Sequence, residues 1–246
     1  ISVRVEGYNE RILMLVDISE PNIPKEISRW WFPGMWVAGN EKTDWPVNGQ
    51  SIGVHHAIVH NDRAYAGFWG GGMLILDISD PSKPGLITHT KWKPGEGGST
   101  HTAMPLPKRN LLVVTDESTA DNCKEEPRRV RLFDISDEKK PRLVSMFPEP
   151  RGNFCERGGR FGPHNVHENR PGAYCSDRFI YVTYFNAGLR VFDIDDPKNP
   201  QEIAYYLPPC PQNQKTIQTN DVFVAENGLI FISDRLNGGI DILEMV

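Results

Sequence analysis

Four stretches of the chain spell nearly the same phrase: Leu15-Val16-Asp17-Ile18-Ser19, Leu76-Asp77-Ile78-Ser79-Asp80-Pro81, Phe133-Asp134-Ile135-Ser136-Asp137 and Phe192-Asp193-Ile194-Asp195-Asp196-Pro197. A worn fifth copy lies at Ile242-Leu243-Glu244. The aspartates stand 60, 57 and 59 residues apart, and Glu244 follows Asp193 by 51. Self-similarity on this scale means stacked supersecondary units, none of which buries its own apolar face alone. It also lets positions be compared between copies.

The fourth copy reads most clearly. Residues 178–185 are β-branched and aromatic, as a strand requires. Asn186-Ala187-Gly188 is a tight hairpin, and residues 189–194 form the next strand. Asp195 to Pro200 is a turn, because Pro presets φ and Asp hydrogen-bonds its own backbone. Residues 201–206 make a third strand, and a short apolar stretch around Val166 precedes all three. The second and third copies repeat the pattern at residues 57–92 and 103–147. Four antiparallel strands per repeat without helical periodicity make an all-β chain, each repeat one blade of a β-propeller. The D-I-S-D-P-x-x-P turn and the x-D-V-x-V opening resemble the LVIVD-repeat family of β-propellers, over most of the chain. The resemblance implies the fold and is nearly silent about activity.

The end copies read short: the five repeats show three, four, four, four and three strands, about four and a half blades. Residues 1–246 are expected to form a single propeller domain, incomplete at both ends. Absent sequence or a second chain would then complete a six- or seven-bladed ring.

Composition excludes several classes. The net charge is -5 with no basic block, which argues against nucleic acid as a partner. No apolar run approaches the ~18 residues of a membrane span. The cysteines are Cys123, Cys155, Cys175 and Cys210, with no C-x-x-C pair for a thiolate zinc site. Repeat position puts Cys123, Cys155 and Cys210 at one end of the blades, with Cys155–Cys210 the first choice for a disulfide and four free thiols the alternative. The compartment stays open between cytoplasmic and secreted or periplasmic.

The histidines carry the sharpest signal. Aligning the innermost strands on the later ones puts His55, His101, His164 and Asn220 at one register position. That strand lines the channel of a propeller and starts near one mouth. Three imidazoles from successive blades therefore point at a common axis and suit one transition metal ion, Fe, Cu or Zn. The competing reading is that these histidines merely bond neighbouring blades. His56 adjoins His55 and faces the other side of its strand, so His56, His167 and the acid Glu168 are candidates for proton transfer. Asp116, Glu117 and Asp221 also lie nearby by register and read as solvated or turn residues. His60 and His89 are off register.

Long loops gather at the same end, at residues 32–54, 93–100, 116–129, 148–163 and 208–219. Loops of this length in a compact domain are usually functional or disordered. They supply Trp36, Trp45, Phe161, Arg157 and Arg160 as candidate walls and clamps for a small-molecule substrate, with Phe154 and Arg151 beside them. Gly70-Gly71-Gly72 is a hairpin rather than a phosphate loop, since no helix follows. The functional expectation is a metal-dependent enzyme at the channel mouth, an oxidoreductase before a lyase or hydrolase. The alternative is a non-catalytic scaffold or protein-interaction module.

Overall fold

The structure is a computed structural model and describes residues 1–42, 51–90, 92–93, 96–236 and 238–245. The first sheet holds β1 (Ser2–Arg4), β2 (Arg11–Asp17) and β3 (Lys25–Trp30). The second blade is β4 (Ile52–His60), β5 (Arg63–Trp69), β6 (Met73–Asp77) and β7 (Gly85–Thr90). The third is β8 (Thr100–Leu106), β9 (Leu111–Asp116), β10 (Val130–Asp134) and β11 (Arg142–Met146). β12 (Phe179–Thr183), β13 (Leu189–Asp193) and β14 (Gln201–Tyr206) form the fourth sheet, and β15 (Thr219–Val224), β16 (Ile230–Asp234) and β17 (Ile240–Leu243) the fifth. Every pairing is antiparallel, so the β-propeller reading of the repeat holds. The fourth blade's inner strand is reduced to one bridge, Val166 with Val182, because its backbone bonds are irregular on both sides.

The repeated phrase has a local cause. Asp17, Asp77, Asp134 and Asp193 each accept the backbone N–H two residues on, at 2.8–2.9 Å. Asp80, Asp137 and Asp196 do the same at 3.0 Å, so two successive Asx turns close this connection in the second, third and fourth blades, and one closes it in the first. A bulge recurs at one place in four blades, at Leu15/Val16, Ile75/Leu76, Leu132/Phe133 and Val191/Phe192. A bulge adds local twist.

The core lies between blades rather than within them. One cluster joins the first and second blades through Ile12, Phe32, Val54 and Phe68. Tyr65, Ile75, Leu112 and Phe133 join the second and third. Leu132, Phe147, Ile180 and Phe192 join the third and fourth, and Tyr181, Val191, Val222 and Ile232 the fourth and fifth. Hydroxyls at equivalent positions clasp neighbours from outside: Ser28 donates to the Pro81 carbonyl, Thr88 to Lys139 and Ser145 to Pro197. The equivalent position in the fourth blade is Ala204, which cannot donate.

The disulfide departs from expectation. Cys123 pairs with Cys155, while Cys210 is exposed with its Sγ against the Gln214 carbonyl. The backbone explains the choice. Asn122 donates to the Gly159 carbonyl at 2.8 Å and Asp121 bridges Arg160, so the loops carrying Cys123 and Cys155 run side by side.

Candidate metal centre

β4 and β8 deliver His55 and His101, and the irregular segment before β12 delivers His164. β8 can approach because β5 has a glycine opposite it. A Cβ on Gly67 would lie 2.2 Å from the His101 carbonyl oxygen. The rings of His55 and His101 are 3.8 Å apart and those of His101 and His164 4.4 Å. His101 and His164 are 2% and 4% exposed, while the His55 side chain keeps a quarter of its surface.

The fourth member is an acid that the sequence reading assigned to solvent. Glu117 is buried. One ligand atom each from His55, His101 and Glu117 lie within 4.8 Å of one another. His164 stands beside this set, its Nε2 3.6 Å from Glu117 Oε1. Asp116, also read as solvated, is fully buried against Arg131 and accepts from Thr100 Oγ1 at 3.0 Å. The register could have found Glu117. Pairing opposite Asp77, Asp134 and Asp193 makes Arg63, Leu111 and Phe179 equivalent, so Trp69, Glu117 and Phe185 are too. These residues lie at or just past the end of the second strand in three blades, against the inner segment of the next. Their types differ, which hides the position from a search for one repeated chemistry.

Hydrogen bonds fix the rings. His164 Nδ1 donates to the Asn220 carbonyl at 2.7 Å, which leaves Nε2 as a lone pair facing the carboxylate. His101 Nδ1 is 2.7 Å from Thr102 Oγ1, and its buried Nε2 has no partner. His55 Nδ1 and Glu117 Oε2 are likewise buried without hydrogen-bond partners, although Oε2 lies 3.8 Å from His55 Nε2. Burial, helped by His56 and nearby arginines, pushes His55 down to about 4. Burial also brings His164 to about 4, despite its bond to Asn220. His101 falls well below the usual range for the same first reason, with His164 and His55 adding to it. Burial raises Glu117, although Arg160 donates to it at 2.9 Å. Neutral imidazoles beside a carboxylate that keeps one oxygen, Oε2, without a donor are what a divalent cation requires. The residues fit a metal.

The other candidates go elsewhere. Burial raises the Glu168 carboxyl, but the hydrogen bond and charge of His56 outweigh it and leave the acid below its usual range. His56 Nε2 accordingly donates to Glu168 at 2.7 Å, joining the second blade to the fourth. His167 has no free nitrogen: Nε2 donates to the Tyr174 carbonyl at 2.7 Å and Nδ1 accepts from Val224 N at 3.1 Å. It clips the fourth blade to the fifth. Arg160 reaches the site through Glu117. Arg157 sits over the Phe154 ring, and Phe161 stacks on that same ring. Trp36 is 42% exposed and packs on Trp31. Among the described contacts none brings Arg157, Phe161 or Trp36 to the histidines. Trp45 lies outside the described residues. The aromatic walls are instead Trp69 beside His55 and Phe185 beside His164, at 5.4 and 4.7 Å between centroids.

The LVIVD-repeat family model matches residues 57–90 and 174–207, the second and fourth blades. No curated protein sequence matches the chain. Among solved structures it is similar to the β-propeller domain of Cps50 (Swd1) from Myceliophteria thermophila, with a TM-score of 0.59 and 14% identity over 95% of this chain and 64% of that one. It is also similar to the periplasmic gluconolactonase PpgL of Pseudomonas aeruginosa, with a TM-score of 0.58 and 12% identity over 97% and 64%. The computationally designed protein Ika4 gives a TM-score of 0.51 and 9% identity over 80% and 93%. The chain thus spans less than two thirds of the length of the two natural propellers. At these identities the likeness is one of fold.

Proposed function

We propose that this LVIVD-repeat β-propeller is a metal-dependent enzyme acting on a small organic substrate at the channel mouth, with His55, His101, His164 and Glu117 as the metal-holding set. One observation carries the reading: ligand atoms of His55, His101 and Glu117 lie within 4.8 Å of one another, and His101 Nε2 and Glu117 Oε2 are buried without hydrogen-bond partners. A structural role for these histidines would fill those atoms, as it fills both nitrogens of His167. Buried polar atoms left unpaired cost roughly 1–3 kcal/mol each.

The carboxylate narrows the metal. An all-imidazole set leaves copper open, whereas histidines with one carboxylate suit non-haem iron first and zinc next. Bound there, iron would supply one-electron and oxygen chemistry, hence oxidoreductase activity ahead of hydrolysis or lyase chemistry. The chain's own residues do the rest. The Asn220 carbonyl holds the His164 tautomer, and Thr102 positions His101. Arg160 keeps Glu117 oriented. His56, half-exposed and bonded to Glu168, is placed to take or give a proton at Nε2.

Metal analysis of the purified protein tests the reading. About one iron or zinc per chain is expected, falling to background in His55→Ala/Glu117→Gln at unchanged circular dichroism. Full metal content in that variant, or none in the wild type after reconstitution, sinks it and leaves an interaction module.

A further inference from the structure

The mouth holds two guanidiniums over one ring. Arg160 Cζ lies 5.6 Å and Arg235 Cζ 5.1 Å from the centroid of Phe185, a fully buried residue in left-handed backbone with φ 43°. Two like charges on one ring repel unless each has an anion. Arg160 has one in Glu117. Arg235 has no such contact: among the described residues its side chain makes no hydrogen bond or ion pair, and the carboxylates of Glu117 and Asp234 act on it only through space. It is nonetheless aimed, because its backbone N–H is held by the Gln218 carbonyl at 3.0 Å. The same ring faces His164 at 4.7 Å, so one phenyl separates Arg235 from the metal-holding set. Its charge reaches His55, His101 and His164 alike. Beside it, Thr219 Oγ1 and Asn220 Oδ1 are buried without partners, and Thr219 bridges Phe185.

We infer that Arg235 is the anchor for a substrate carboxylate, so that the enzyme takes small carboxylic acids with their reacting carbon turned toward the histidines. An exposed guanidinium presents a planar fork that matches a carboxylate by two parallel bonds. One open cation suits a monoanion better than a phosphate, whose second charge would meet the carboxylate of Glu117. Thr219 and Asn220 would take the hydrogen-bonding remainder of the acid. The inference rests on the metal reading for what the anchor serves, but not for whether it binds.

The test is calorimetric titration of benzoate and of its neutral twin benzamide into the reconstituted protein, with metal content measured alongside. Wild type is expected to prefer benzoate by about tenfold or more, the worth of a charge-assisted pair. Arg235→Gln should erase the preference at unchanged metal content and melting temperature. Arg235→Lys keeps the charge without the fork and should weaken benzoate several-fold, which keeps the test open if the glutamine variant folds poorly. Unchanged benzoate binding in both variants overturns the inference. So does a loss caused by Arg157→Gln instead, which would move the acid to the cleft lined by Arg151, Arg157 and Arg190. A wild type that carries no metal yet loses benzoate with Arg235 would end the enzyme reading and keep the anchor.

Discussion

Gly67 does for the site what no side chain could, by letting the backbone of β8 lie against β5. Gly67→Ala would drive a methyl group into the His101 carbonyl, and neither backbone can yield without moving a histidine. Overpacking of this kind costs about 1–3 kcal/mol. The expected outcome is a lower melting temperature together with loss of bound metal, both read on one preparation. Loss of stability with full metal content would show that His101 is not placed by this contact. The position also marks a limit of sequence reading. A glycine inside a strand announces a close approach but not what approaches. The three histidines were legible because their residue type repeats at one register. Glu117 was not, because its equivalents are tryptophan and phenylalanine, and an acid just past the end of a strand looks like a turn residue until His55, His164 and Arg160 are seen around it.

At the scale of elements, loops and outer strands carry separable contributions. Glu125 ties residues 118–128 into a knot, accepting from the backbone of Thr119 and Ala120, from Ser118 Oγ and from Arg128. Burial opposes ionisation, but these bonds prevail and hold the carboxyl at about 2 instead of 4.5. The unfolded chain therefore binds this proton first as pH falls. The contribution of Glu125 is fully present above pH 4.5 and is lost as pH drops through 2. Wild type minus Glu125→Gln stability, from urea melts across that window, should shrink toward zero at the acid end. A difference independent of pH would contradict the assignment. The partner of Cys155 was illegible for a related reason. Loop pairing, here Asp121 with Arg160, is set by backbone that no periodicity encodes. The outer clasps behave as independent increments. Ser145→Ala removes one neutral hydrogen bond between the third and fourth blades, worth about 1 kcal/mol. Equilibrium unfolding should show that loss without a change in the denaturant slope.

At the scale of the whole molecule, a ligand that binds only the folded state raises stability by mass action. Metal at 100 times its dissociation constant would add about 2.7 kcal/mol. Reconstituted wild type is expected to melt higher than the same protein with chelator. His55→Ala should lose most of that increment, while keeping its fold better than a change at the more deeply packed His101 or His164. Equal melting of both proteins with and without chelator would argue against a preformed site. The architecture was the most legible level of all, because identical Asx turns and bulges recur wherever the phrase recurs.

The hydrogen bond between His56 and Glu168 joins the second blade to the fourth and skips the third. Contacts between adjacent blades are links in a curved chain, and each link can flex a little on its own. A tie between alternate blades is a chord across that curve. With the chord in place, the wedge angles on either side of the third blade are no longer independent, since opening one must close the other. The histidines and Glu117 of the candidate site sit on the arc that this chord subtends, so their spacing is kept as an engineer keeps the shape of a truss, by triangulation, rather than by the stiffness of any single joint.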